Sequence, residues 1–168
     1  MRAQGRCQEA IPEYETTISL DANFASAYAN LGWCKFLTGS IEDVISLEEK
    51  ALRLIPRGPF VGTLYLRIGT AYLLQSRYED AIRPLEKARN ATVWPAEVRS
   101  YLASAYGLKG ESEHAAAELA DARRLSPDDR YSSIARLRAV EHYRSPKIQA
   151  LREDTYFVGL RKAGVPEE

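Results

Sequence analysis

Bulky side chains recur along this chain at helical spacing. Tyr65, Ile68 and Tyr72 form one stripe, and Tyr78, Ala81, Leu85 and Ala88 form a second after a short polar break. Steps of three and four residues predict two amphipathic helices. Gly69 lies inside the first stripe, where glycine costs about 1 kcal/mol relative to alanine. A small residue at such a place predicts close approach of the second helix, with Ala81 and Ala88 as its matching small residues. The break, Ser76-Arg77-Tyr78-Glu79, has the Ser-x-x-Glu spacing of a capping box that would start the second helix. Pro84 falls inside that helix and removes one backbone hydrogen bond there.

The pattern returns after 34 residues: Gly69 as Ala103, Tyr72 as Tyr106, Ala81 as Ala115, Ala88 as Ala122. An earlier copy reads Tyr28, Leu31 and Gly32, then Val44, Ala51 and Pro56, offset by 37 residues. The three extra residues fall in the turn-forming segment Pro56-Arg57-Gly58-Pro59. Upstream, Ala10 and Tyr14 mark the second helix of a further unit whose first helix is almost absent. Recurrence at this length predicts a stack of helix pairs.

These residues resemble the tetratricopeptide repeat. Gly32, Gly69, Tyr72, Tyr106, Ala51, Ala81, Ala88, Ala115, Ala122, Pro56 and Pro127 match its pattern over about residues 5–128. Val44 stands where the pattern has a small residue, Glu48 where it has a bulky one and Lys35 where it has Tyr. Ala22 and Val93 stand where Pro is usual. The resemblance implies an all-α, right-handed solenoid of antiparallel helix pairs. Its units are a half repeat at 1–22, then repeats at 24–57, 61–93 and 95–128, with capping helices over 129–168. Within the tail, Ser145-Pro146 offers an N-cap and first helical position, and Gly164 with Pro166 a stop, so that 130–163 reads as a two-helix cap. The tail also resembles those of bacterial proteins that carry such repeats behind a class III adenylate cyclase domain or a winged-helix regulator. That implies a regulatory, non-catalytic part of a signalling protein.

Composition narrows the function. Lys plus Arg equals Asp plus Glu at 23 each, which argues against a dedicated nucleic-acid binder. The +3 balance of residues 130–168 reads as a solvated helix face. No apolar run is long enough for a membrane span and no signal peptide is visible. Cys7 and Cys34 have neither scaffold nor metal spacing and read as free thiols in a reducing compartment, which places the chain in the cytoplasm. No phosphate loop, nucleophile elbow or zinc motif occurs, and His114 and His142 lack an acid, Cys or second His at ligand spacing. We therefore expect no enzyme, catalytic residue, metal or cofactor.

In the resembled family, first helices line a concave groove. Here that face would carry Trp33, Phe36, Leu37, Leu66, Thr70, Leu73, Leu74 and Ser104. It is apolar and lacks the basic set that clamps a peptide carboxylate, so the expected partner is an apolar or amphipathic segment of a protein or peptide. The alternatives are that the tail helix or a second copy covers these residues. Ile11, Tyr14 and Ile18, on a helix without its partner, are candidates for self-association as a homodimer. Trp94, in an inter-repeat turn, reads as a core plug.

Overall fold

The computed structural model describes residues 2–91 and 94–168, with side chains from Arg6 onward; Val93 lies outside them. Ten α-helices follow in order, with no strand among the described residues. They are α1 (Arg2–Leu20), α2 (Ala25–Thr38), α3 (Val44–Leu54), α4 (Val61–Leu74), α5 (Tyr78–Arg89), α6 (Pro95–Lys109), α7 (Ser112–Leu125), α8 (Ile134–Ala139), α9 (Pro146–Asp154) and α10 (Tyr156–Lys162). Neighbours in sequence pack against each other from α1 to α7, as an all-α solenoid requires.

The small-residue contacts hold the pairs together. A Cβ on Gly69 would lie 2.5 Å from Leu85 Cγ and 3.2 Å from the Ala81 carbonyl oxygen, so α4 and α5 touch at that point. Ala81, Leu85, Ala88, Ala103, Ala115 and Ala122 are all buried in one continuous core. Pro84 stands inside α5 as expected.

Turn chemistry repeats as well, by a route that corrects the expected capping box. Gly39 and Gly110 end α2 and α6 in the left-handed conformation, at φ 94° and 88°. The amides that follow close the helix ends, Ser40 N bonding Lys35 O and Glu111 N bonding Tyr106 O. Ser76 occupies the corresponding place after α4, at φ 60°, with Arg77 N bonding Tyr72 O. Ser76 therefore terminates α4 instead of starting α5, whose N-cap is Arg77 with no side-chain bond.

Two further expectations change. Cys7 and Cys34 are bonded to each other, tying α1 to α2. They are not free thiols, and a disulfide is at home in an oxidising compartment, so the cysteines no longer argue for a reducing one. Trp94 is no core plug: it is 56% exposed at the N-cap of α6, with Pro95 in the first helical turn. Phe24 and Phe60 hold the N-cap positions of α2 and α4 and are exposed too.

Closing the 27-residue separation is worth roughly 3.5 kcal/mol in the chain-entropy view. Reduction should lower the melting temperature by on the order of 10 °C. Unreduced native protein should take up no carbamidomethyl groups on treatment with iodoacetamide, and two after reduction. Uptake without reductant would return both residues to free thiols.

Candidate functional site

The first helices α2, α4 and α6 present one face inward, and the tail lies on it. α10 packs along α6 and α9 reaches α4, while the 3₁₀ turn Arg130–Ser132 touches α7. The tail is thus three short helices laid across the inner face, in place of the two-helix cap expected at the end of the stack. Backbones meet at its centre: a Cβ on Gly107 would strike the carbonyl oxygen of Gly159, and a Cβ on Gly159 would strike Ser104. Ser104 Oγ donates to Tyr156 O at 2.9 Å, and Tyr156 OH donates to Ser100 Oγ at 2.9 Å. Further back, Lys147 Nζ sits 2.8 Å from Glu42 Oε1, so the tail spans from the last helix pair to the turn before α3. Ser145 and Pro146 do begin α9, but the serine side chain makes no cap bond.

An arginine anchors this tail. Arg152 is 6% exposed, and its guanidinium lies 4.3 Å from the Tyr156 ring centroid, 4.9 Å from Tyr143 and 5.3 Å from Phe157. Nη1 donates to Tyr101 OH at 2.8 Å, and Nε stands 2.6 Å from Glu141 Oε1. Aromatic faces and one carboxylate compensate a buried charge that would otherwise be costly. Burial pushes the Tyr143 hydroxyl up to about 12.

Beside the tail an inner cavity of about 290 Å³ remains, walled by Trp33 and Phe36 from α2, Arg67 and Thr70 from α4, Glu97 from α6 and Tyr143 from the tail. Next to Arg67, the second helix of the α2–α3 pair buries an acid. Glu48 is fully buried at the place that Leu85 and Leu119 fill in the next pairs. Gly32 makes room for it, since a Cβ there would lie 2.9 Å from Glu48 Oε1. Arg67 Nη1 reaches Glu48 Oε1 at 3.3 Å and the Ala29 carbonyl at 3.1 Å, and the guanidinium stacks 4.7 Å from the Trp33 ring. Burial raises the Glu48 carboxyl to about 8 although Arg67 opposes it. Burial also raises Glu97, against Arg152 and Arg130.

The residues expected to line an open groove separate into two sets. Phe36, Leu66, Thr70, Leu73, Leu74 and Ser104 are buried, several of them under the tail. Trp33 and Leu37 remain half-exposed, and with Tyr14 from α1 they line a second groove of about 480 Å³ between α1 and α2. Ile11, Tyr14 and Ile18 are half-buried rather than fully open to water. His114 does have an acid partner, with Nδ1 2.8 Å from Glu111 Oε2 on the exposed start of α7. No cluster of metal-ligating side chains occurs among the described residues. Arg67 and Arg152 carry no motif that marks them in the sequence. The signal for the first was Glu48, since an acid at a core position calls for a cation nearby.

The chain aligns with solved structures over nearly all its length. MamA superposes with a TM-score of 0.68 at 20% identity, covering 96% of this chain and 89% of that one. YrrB, described as a TPR protein with an unusual peptide-binding site, gives 0.66 at 19% identity over 94% and 80%. TTC0263, a thermophilic TPR protein of Thermus thermophilus, gives 0.59 at 22% over 94% and 74%. The fold is that of a tetratricopeptide-repeat array. No family model matches the chain, and no curated protein does. The likeness of the tail to cyclase-linked and winged-helix proteins rests on sequence alone.

Two tests bear on this site. Glu48 binds its proton more tightly folded than unfolded, so it contributes a loss of stability as pH rises from about 4.5 to about 8. Glu48→Gln should flatten that slope in denaturant titrations taken across the interval. Separately, Gly159→Ala forces α10 off α6, so exchange protection of α9 and α10 should fall while that of α4 and α5 is kept. Equal loss throughout would make the tail inseparable from the stack.

Proposed function

We propose that this chain is a non-catalytic protein-interaction module that receives an apolar or amphipathic segment of a partner protein. The observation that carries the reading is the tail itself. The inner face accepts a helical segment with backbone-to-backbone contact at Gly107 and Gly159, which is how a repeat groove would hold a ligand helix. That face is taken up by the tail over α4 and α6, so the partner's place is the open groove along α1 and α2, at Tyr14, Trp33 and Leu37. Tight binding there rests on aromatic anchors in a pocket, and Trp33 and Tyr14 are side chains of that kind. Likeness to a TPR protein described with a peptide-binding site supports the same reading.

Peptides selected from a random display library against the full chain test this assignment. Leu37→Asp and Tyr14→Glu should each weaken their binding roughly tenfold or more, with helix content unchanged by circular dichroism. Peptides that bind both variants as well as the parent would reject the α1–α2 groove. A homodimer formed through the same groove would show as a concentration-dependent mass in sedimentation equilibrium that Tyr14→Glu abolishes.

A further inference from the structure

The inner cavity carries two charged side chains whose bonding capacity is not used up. Arg67 spends only Nη1, on Glu48 and the Ala29 carbonyl; among the described residues its Nε and Nη2 have no hydrogen-bond partner. Its position is fixed by those two bonds and by the stack on Trp33. The charge of Arg67 is not cancelled by Glu48, which holds its proton until about pH 8. On α6, Glu97 lines the same cavity, and its carboxylate accepts no hydrogen bond among the described residues, although its backbone carbonyl takes one from Ser100 Oγ at 2.7 Å. The cations whose field reaches Glu97 are Arg152, already held by Tyr101 and Glu141, and Arg130, paired with Asp128, and neither donates a hydrogen bond to it among the described residues. His142, which also lines the space, has its pKa held below the usual histidine value by burial and Arg152. Thr63 and Thr70 flank Arg67 on the same face of α4 and add hydroxyl groups to that wall. Aromatic rings line the same space, and a volume of about 290 Å³ suits a small molecule.

We propose that this cavity binds a small zwitterion of amino-acid size, its carboxylate toward Arg67 and its ammonium toward Glu97, its body against Trp33, Phe36 and Tyr143. The guanidinium offers paired N–H groups of the geometry a carboxylate accepts. The rings and the Glu97 carboxylate together suit an ammonium. The site shares Trp33 with the α1–α2 groove, but its two charged ends, Arg67 and Glu97, lie outside that groove, so Glu97→Gln tests it separately from partner capture. The zwitterion has two sources, a free amino acid or the paired ends of a very short peptide.

The chain's only two tryptophans, Trp33 and Trp94, both line the cavity, so intrinsic fluorescence of the full chain reports on it directly. The protein is titrated with each of the common amino acids, with their N-acetyl and amide derivatives, and with dialanine and diglycine. We expect a saturable change with at least one free amino acid. Its N-acetyl form, lacking the ammonium, and its amide, lacking the carboxylate, should each bind roughly tenfold or more weakly. Glu97→Gln should erase the preference for the free amino acid over its N-acetyl form. A dipeptide that binds more tightly than any amino acid assigns the site to peptide ends. Absence of saturation by every amino acid and dipeptide, or equal binding of free and blocked forms, overturns the proposal. The blocked ligands make that distinction on the unmodified chain even if Glu97→Gln does not fold.

Discussion

Close contact between paired helices is the constraint on which the rest of this structure depends. α4 can lie against α5 only because Gly69 has no side chain at the place where Leu85 and the Ala81 carbonyl press inward. Alanines at corresponding places in the next pair keep the same approach. Once the pairs have a fixed separation, first helices fall on a common side and form the face that receives the tail. The tail repeats the device, since α10 meets α6 through Gly107 and Gly159. Interiors packed this tightly tolerate little change in volume, so one extra methyl group at these glycines displaces a whole helix.

One polar intrusion into that core is Glu48 of α3. Where the neighbouring pairs bury leucine, the α2–α3 pair buries Glu48, with Arg67 of the next pair turned toward it. Replacing leucine by a carboxyl sacrifices apolar burial and leaves Glu48 Oε2 without a partner. The return is local order: Arg67 is fixed between a carboxyl, a carbonyl and an indole. A side chain so positioned projects its remaining N–H groups in one direction.

The helix pairs were legible in the sequence because their information is local. Tyr65 through Ala88 repeat at a fixed offset, and helical spacing within each stripe reveals which side is buried. The path of the tail was not legible, because its contacts join residues far apart in sequence. Ser104 bonds Tyr156 across 52 positions and Arg152 bonds Tyr101 across 51. Nothing in the order of residues 129–168 says whether those helices stand beyond the last pair or lie along the inner face. Several residues expected to line a free groove are therefore buried, whereas Trp33 and Leu37 keep some access to solvent. The Cys7–Cys34 bond escaped for the same reason, as pairing depends on the meeting of α1 and α2 and not on spacing. Ser76 misled differently: Ser-x-x-Glu was present, but the need for a left-handed residue after α4 took precedence over capping α5.

Solenoids of this class are springs, their curvature set by a small rotation between successive pairs and free to change when they are pulled or loaded. In this chain the segment running from Arg130 to Lys147 crosses the hollow of the spring and is bolted at both ends, to α7 through Arg123 and Tyr131 and to Glu42 through Lys147. A strut placed there sets the pitch of the coil over the last three pairs, leaving elastic freedom to the end that carries α1.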